Sequence, residues 1–391
     1  MNRLRAAITI VFFANGALFA SWASRIPALA DRTDATTGTL GLALLAPAVG
    51  AVATMPQIGK LLTGRSSRMF CRWSLAGLMV AIVLPGFAPT VALLGVALLF
   101  VGATNSALDV AMNAQGVSVE RRQGRPILSS LHAAFSFGGF AGAGVGALAA
   151  ALHVAPEPHL IFAAVLFGVP GLFAAQALLR DDEDPDAGAR RLPFRKLPGR
   201  LALLGAAAFF CLLAEGAASD WSATLVSGPL GGSPALGAIA YAIFSVGMGA
   251  GRLLADGLWA RWGASGLVRR SGVLAGAGFT VALVIGTAPV ALVGFAALGL
   301  GLSGIVPTLF RSAADQPGVP TGPALAAVSA IGYLGFLAGP PLIGGLAEAT
   351  SLHLAIGLLA IAAALVVVLA PIADPPRRRG PRPASAPSPT G

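Results

Sequence analysis

Twelve apolar runs follow one another along this chain, and each is long enough to cross a membrane as a helix. A hydrocarbon core of ~30 Å needs about 20 apolar residues at a rise of ~1.5 Å per residue. Only 11% of the residues are charged, against roughly 25% in a soluble domain, so one water-soluble core cannot bury this much apolar surface. The runs lie at about 6–28, 40–60, 73–90, 92–115, 127–151, 159–179, 201–226, 236–258, 271–288, 290–310, 323–346 and 353–372.

The basic residues predict the orientation of these runs. Of the 26 Lys and Arg residues, all except Arg25 and Arg32 are assigned to the side that the two termini share. Because cytoplasmic loops of membrane proteins are rich in Lys and Arg, we expect both termini in the cytoplasm and a multi-pass protein of the bacterial inner membrane. The first run follows Arg3 and Arg5 and is too long for the core of a signal peptide, so it is interpreted as the first span.

Several other classes of function have no support in the sequence. The net charge of +10 is spread over the gaps between apolar runs, whereas nucleic-acid binding requires basic residues clustered on one surface. Cys71 and Cys211 lie far apart, and the four histidines form no HExxH pair, so we expect no disulfide, metal or cofactor. No GxxxxGK[ST] loop is present for ATP, and no nucleophile or metal cluster supports a membrane enzyme.

The two halves of the chain resemble each other. Trp22 matches Trp221, and Gly138 matches Gly335, at nearly the same offset along the chain. The sequence therefore predicts an all-α membrane protein with twelve transmembrane helices in two pseudo-symmetric six-helix bundles. The expected organisation is a first bundle at 1–180, a cytoplasmic linker at 181–200, a second bundle at 201–373 and a disordered, basic, Pro-rich cytoplasmic tail at 374–391.

Two loop motifs carry a resemblance to the major facilitator superfamily. "GRLLADGLWARWG" at 251–263 resembles the superfamily's cytoplasmic G-x-x-x-D-R-x-G-R loop, and "GKLLTGRSSR" is its first-half counterpart, with Thr63 where an Asp is usual. The resemblance implies this superfamily's fold, with a substrate site near the midplane between the halves. It also implies a cytoplasmic gate, for which the candidates are Arg65, Arg252, Asp256 and Arg261.

Further segments resemble the bacterial YbjJ-like inner-membrane proteins, a branch near the fucose permease. They include "LDVAMNAQGVSVER", "HAAFSFGGFAGAGVG", "EGAASDW" and "GYLGFLAGPPLIGG". The fucose permease group has a functional acid on its fourth helix followed four residues later by Asn, and Asp109 and Asn113 have this spacing. Its acid on the first helix has no equivalent, because Asn15 and Gly16 stand in that region, so fucose does not transfer as the substrate.

Two acidic residues lie deep in the predicted spans. From the helical rise, Asp109 lies roughly 16 Å and Glu215 roughly 22 Å from the cytoplasmic interface. A carboxylate there remains ionised only if water or a cation reaches it, so both are candidates for proton coupling. A structural Glu215, hydrogen-bonded to Asn15 or to a backbone carbonyl, is the alternative. His132 is a third candidate, as a relay partner of Asp109.

A second pair of charges lies nearer the periplasm. Asp220 lies 20 residues after Arg200, and Arg25 lies 20 residues after Arg5. From the helical rise, both are therefore ~30 Å from the cytoplasmic side. They stand at matching heights on the first and seventh predicted helices. We expect them to form an ion pair that closes the periplasmic mouth and favours the inward-facing state.

Polar and aromatic side chains in the spans are candidate substrate contacts. Trp22 and Trp221 are most simply interfacial anchors, with a stacking role as the alternative. The candidate substrate-binding residues are Asn15, Asn105, Asn113, Trp22, Trp221, Phe135, Tyr241 and Tyr333.

The function predicted from the sequence is secondary active transport by alternating access. Proton-coupled uptake of a polar or sugar-like solute fits the Asn, Ser and acidic groups. The alternatives are efflux of an amphipathic compound by proton antiport and a sensor that binds without flux. The expected partners are a small-molecule substrate, protons and the bilayer, with no nucleic acid, and the protein is expected to be a monomer.

Overall fold

The structure is a computed structural model that describes residues 2–62, 67–123, 127–179, 198–319 and 321–375. These residues form helices and connecting turns, with no β-strand in the described ranges. The α-helices are α1 (Asn2–Ala23), α2 (Ile26–Arg32), α3 (Thr37–Leu62), α4 (Ser67–Ala81), α5 (Val91–Gln123), α6 (Leu128–Ala151), α7 (Pro156–Ala175), α8 (Gly199–Ser227), α9 (Pro234–Ile285), α10 (Ala288–Leu302), α11 (Ile305–Ala314), α12 (Thr321–Ala349), α13 (Leu352–Ala355) and α14 (Leu358–Leu369).

Within the described residues, 11 helical segments are long and apolar enough to cross a membrane. Their outward surface is hydrocarbon: Val284 is 82% exposed and Val368 72% exposed. Large apolar side chains exposed on several helices require an apolar solvent around the molecule. The chain is therefore a multi-pass membrane protein.

Helix α9 is 52 residues long and contains one residue outside helical geometry. Gly263 has φ 70° and ψ 176°, a conformation that glycine adopts easily because it has no Cβ. A methyl group built on Gly232, just before α9, would lie 3.3 Å from Cβ of Ala288, just after it. Both ends of α9 therefore lie together, and the chain reverses at Gly263.

The molecule has two ends, which we name after the chain termini. At the terminal face, Arg5 of α1 donates a hydrogen bond to Ser130 of α6 (3.4 Å), and Arg200 of α8 donates to the carbonyl oxygen of Asp374 (3.0 Å). At the opposite end, the far face, a small cavity brings Arg25 together with Pro234. Helices of the first half (residues 2–179) meet those of the second half (198–375) mainly where α3 packs on α12 and α6 on α9.

Glycines allow helices to approach closely at corresponding places in the two halves. A methyl group on Gly138 of α6 would lie 2.0 Å from the carbonyl oxygen of Phe13 in α1, and one on Gly335 of α12 would lie 2.2 Å from that of Phe209 in α8. Gly138 and Gly335, which the sequence comparison paired, therefore make the same kind of contact: each allows its helix to pack against the first helix of its own half. Small residues at such crossings let helix backbones pack in lipid.

Replacing Gly138 by Leu is expected to separate α6 from α1 and to lower the free energy of unfolding by about 3 kcal/mol or more, since a backbone oxygen cannot give way to the new side chain. Gly144, on the same helix, has no neighbouring atom within 4 Å of the position that a Cβ would take. Gly144→Leu is the matched control and should leave stability within about 1 kcal/mol. Unfolding in mixed micelles with increasing SDS measures both, and equal losses would contradict this packing.

Candidate substrate cavity between the two halves

A cavity of about 640 Å³ lies between the two halves. Helices α1, α3, α5 and α6 form one wall, and α8, α9 and α12 form the other. Most of the lining is apolar or aromatic, with a small number of polar and charged groups among it. This is the usual composition of a small-molecule site.

Nine of the predicted site residues line this cavity, and four of the predicted proton-coupling and substrate-binding residues do not. The lining includes Trp22, Asn105, Asp109, Phe135, Glu215, Asp220, Tyr241, Arg252 and Tyr333. Asn15, Asn113, His132 and Trp221 are not among the residues that line it.

An ion pair crosses the middle of the cavity wall. Arg252 Nη2 of α9 lies 3.2 Å from Glu215 Oε1 of α8. The other guanidinium nitrogen, Nη1, donates to Ser136 Oγ (2.7 Å) and to the His132 carbonyl oxygen (3.3 Å), both on α6 of the first half. Arg252 therefore connects Glu215 to the opposite half of the molecule.

This arrangement changes two predictions. Arg252 was expected at a cytoplasmic gate, but it lies roughly 16 Å from Gly263 along its helix, inside the cavity wall. The alternative partner proposed for Glu215 was Asn15, which instead donates from Nδ2 to the sulfur of Met112 (3.6 Å). Glu215 is neutralised by a cation from the neighbouring span.

Asp109 faces the cavity from α5 and is held by its own helix. Asn113 Nδ2 donates to Asp109 Oδ1 (3.0 Å) and to its carbonyl oxygen (2.9 Å). His132 lies elsewhere, with its ring edge against Phe12 at 5.4 Å between centroids. The structure does not bring Asp109 and His132 together, so the predicted relay is absent from this conformation of the described residues.

The predicted ion pair of Arg25 with Asp220 is also absent from the described part of the chain. Arg25 is 5% exposed, and its Nη2 donates to the carbonyl oxygen of Val154 (2.7 Å). Asp220 faces the cavity. The position of a residue along its helix gives its height in the membrane but not the direction of its side chain. Arg25 and Asp220 stand at one height, but their side chains point in different directions.

The prediction of Trp22 and Trp221 as interfacial anchors is wrong. Trp22 is 1% exposed and Trp221 is 0% exposed, whereas an anchor must reach the headgroup region. Trp22 lines the cavity and packs edge-to-face against Phe19, with 5.4 Å between ring centroids. Trp221 is a packing residue.

Two of the remaining residues of the predicted cytoplasmic gate, Asp256 and Arg261, lie toward the terminal face. Arg65 lies outside the described residues. Asp256 accepts a hydrogen bond from Arg311 (2.5 Å), which belongs to the same half, and Arg261 is exposed. A gate between the halves at this face stays a prediction.

The cavity is closed at the far face. There α3 meets α12 so closely that a methyl group on Gly41 would lie 2.9 Å from Cα of Gly344. Glu348 Oε2 accepts hydrogen bonds from the backbone N–H of Gly38 (2.8 Å) and the hydroxyl of Thr37 (3.0 Å). These contacts join the first half to the second.

Exposure of the lining differs along the cavity. Val52 and Leu334, near the middle of α3 and α12, are 54% and 49% exposed, whereas Trp22 and Leu44 at the far end are 1% and 3% exposed. In the described part of the chain the far end of the cavity is therefore the closed one.

Comparison with known proteins decides the family. The chain matches no family model. It is 35% identical over 362 residues to an uncharacterized MFS-type transporter of Yersinia pestis, covering 90% of this chain and 91% of that protein. The chain belongs to the major facilitator superfamily (MFS).

Two other relatives are similar over most of the chain. An uncharacterized transporter of Sinorhizobium fredii, y4wD, is 34% identical over 366 residues (92% of this chain, 96% of that protein), and the membrane protein MosC of Rhizobium meliloti is 32% identical over 367 residues (94% and 89%). Two crystal structures of the nucleoside transporter NupG are similar in fold. For the structure of a NupG mutant the TM-score is 0.73 at 14% identity, covering 94% of this chain and 98% of NupG; for the other structure the TM-score is 0.67 at 15% identity, covering 95% and 98%. The likeness to NupG concerns the fold alone, and the affiliation with YbjJ-like proteins stays a prediction.

Two features of this MFS protein's cavity were missed by sequence reasoning. Arg252 was treated as an interfacial charge, although it precedes Arg261, the first basic residue of the following gap, by nine residues and so lies roughly 14 Å inside the span. A lone Arg in one span and a lone Glu in the preceding antiparallel span are a detectable signal for a pair. The contact of Gly41 with Gly344 had no comparable signal, because small residues are frequent in every helix.

Proposed function

We propose that this MFS protein is a proton-coupled secondary transporter that takes up a small polar molecule by alternating access. The proposal includes twelve spans in two six-helix units, residues 1–180 and 201–373, joined by the linker 181–200 and followed by the tail 374–391. It places both termini in the cytoplasm of a bacterium and takes the protein to be a monomer. The proposed activity is transport without catalysis and without a cofactor.

The observation that carries this proposal is the position of Arg252. It binds Glu215 within its own half and the α6 backbone and Ser136 of the other half. A proton that reaches Glu215 from the terminal face removes the negative charge that holds Arg252. The contact of α9 with α6 then weakens, and the relative stability of the two cavity openings changes.

Asp109 is proposed as the second proton site. It faces the same cavity from the first half, so the two halves each contribute a carboxylate that can be protonated while the cavity is open. The hydrogen bond from Asn113 Nδ2 to Asp109 Oδ1 stabilises the ionised form and keeps the carboxylate in one orientation. Protons and substrate thus enter and leave through one cavity.

Asp109→Asn is expected to abolish accumulation against a gradient and to retain downhill exchange, because the amide cannot take up a proton. Right-side-out vesicles with and without an imposed pH gradient, tested with a panel of labelled polar solutes, measure both. Asp31→Asn, an exposed charge on α2, is the matched control and should behave as wild type. Full uphill transport by the Asp109 variant would remove Asp109 from coupling.

Efflux of an amphipathic compound is the second candidate, and the apolar part of the lining favours it. Val52, Met55 and Met248 offer hydrocarbon and thioether surface to the cavity, which suits a partly apolar ligand. Inverted vesicles distinguish the two directions, since an efflux protein accumulates its substrate in them when their interior is acidic. Binding without flux in either preparation would indicate a sensor.

A further inference from the structure

The cavity carries more negative than positive groups. Three carboxylates line it, those of Asp109, Glu215 and Asp220, and among the described lining residues the only Lys or Arg is Arg252. Arg252 is already engaged by Glu215. The other two carboxylates therefore have no cationic partner in the described part of the chain, and a site of reduced polarity makes such a charge unfavourable unless a positive group arrives.

Asp220 differs from Asp109 in having no hydrogen-bond donor. Asn113 donates to Asp109, whereas no side chain or backbone N–H of the described residues donates to the carboxylate of Asp220. Asp220 lies seven residues before Ser227 at the end of α8, so roughly 10 Å from the far end of its helix. Its carboxylate is at the closed end of the cavity.

Aromatic rings surround this end of the cavity. Phe19 and Trp22 come from α1 of the first half, and Tyr241 and Phe244 come from α9 of the second half. Tyr241 lies seven residues after Pro234 and so stands at the height of Asp220. A carboxylate in a cavity end that aromatic residues line suits ammonium and guanidinium groups, because both the charge and the ring quadrupoles attract a cation.

We infer, on the basis of the transport function proposed above, that the substrate carries a positively charged nitrogen group that binds at Asp220 among these four rings. The volume of the cavity, about 640 Å³, leaves room for a small organic body that extends from this group toward Arg252 and Asp109. An anionic substrate is disfavoured because the guanidinium in the cavity is already paired.

The test compares three probes that differ in charge at one position: 2-phenylethylammonium, 2-phenylethanol and phenylacetate. The full chain is purified in lipid nanodiscs, and each probe is titrated up to 10 mM while thermal unfolding is followed by circular dichroism. The apparent Kd of the ammonium probe is expected to be at least about tenfold lower than that of the alcohol, with no binding of the carboxylate, because an ion pair in a partly dehydrated site is strong. Equal affinity of alcohol and ammonium, or no binding of the ammonium probe, overturns the inference.

Variants of Asp220 locate the effect. Asp220→Asn is expected to raise the Kd of the ammonium probe at least about tenfold and to leave that of the alcohol within about twofold. Asp220→Glu keeps the charge and should retain the preference for the cation, and Asp31→Asn should match wild type. An unchanged cation preference in Asp220→Asn would contradict the assignment of this residue.

Equilibrium binding separates this inference from the proposed function. If the cation binds but no proton-driven flux occurs in vesicles, the transport proposal fails and the cation site stands. If labelled neutral or anionic solutes are transported with protons while the ammonium probe does not bind, the substrate class is wrong and proton-coupled transport stands.

Discussion

Arg252→Met is expected to abolish uphill transport and to lower the free energy of unfolding by about 2 kcal/mol. The substitution leaves the carboxylate of Glu215, which is 20% exposed, without its cation in a mostly apolar wall. Removing one partner of a dry buried pair typically costs ~3–5 kcal/mol, and the effect is smaller here because the Glu215 side chain is partly exposed in the cavity. Transport is lost because Arg252 also makes the contact with α6.

The double variant Arg252→Met with Glu215→Leu distinguishes stability from function. Replacing both members by apolar groups of similar volume is often neutral, so stability should return to within about 1 kcal/mol of wild type while transport remains absent. Arg311→Met provides the control for losing an exposed ion pair, that of Arg311 with Asp256, and should cost less than about 1 kcal/mol. SDS unfolding and vesicle flux measure the set, and recovery of uphill transport in the double variant would rule out the proposed role of the pair.

Gly344→Val is expected to abolish transport while the protein stays folded. A methyl group at Gly344 would lie 2.8 Å from Cα of Gly41 and 2.8 Å from the carbonyl oxygen of Thr37. Because both atoms belong to α3 of the other half, the clash acts between the halves and prevents the far face from closing. The variant should remain in a state whose cavity is open at the far face.

Gly345 supplies the matched control for this prediction. It is the next residue of α12, and no atom lies within 4 Å of the position its Cβ would take, so Gly345→Val should transport at more than about half the wild-type rate. Labelling of a cysteine placed at Ser219 by a membrane-impermeant maleimide from the far side reports which face is open. Normal transport by Gly344→Val, or equal loss in both variants, would contradict the closing contact.

The spans could be predicted from the sequence because hydrocarbon length and loop composition impose them directly. The predicted runs at 236–258 and 271–288 fall on the two sides of Gly263, where α9 reverses. A single glycine is a weak signal for such a turn, yet the basic residues around it, Arg261, Arg269 and Arg270, already separate the two runs.

The cavity was predicted in part. Helical depth placed Asp109 and Glu215 near the middle of the membrane, and both line the cavity, because depth depends only on distance along the helix. The rotation of a helix was not predictable in the same way, since apolar residues cover every side of these spans. For this reason Asp220 was assigned to the mouth with Arg25, and Trp221 was assigned to the membrane interface, although it is buried in packing.

The partners of the charged groups depend on contacts between spans. Glu215 and Arg252 lie in consecutive antiparallel helices joined by a short turn, so their pairing has a local signal in the sequence. The closure of the far face depends instead on α3 and α12, which are far apart in the sequence. The hydrogen bond between Gly38 and Glu348 joins residues that are far apart in the sequence. No local sequence pattern indicates this contact.

A reversible cross-link at the far face tests alternating access most directly. A Cβ on Gly38 would lie 3.5 Å from Cβ of Glu348, which suits a disulfide, and the natural cysteines Cys71 and Cys211 are buried. In the variant Gly38→Cys with Glu348→Cys, oxidation is expected to stop transport in vesicles and a reducing agent is expected to restore it. Transport by the fully oxidised protein at the rate of the reduced protein would contradict alternating access through this cavity.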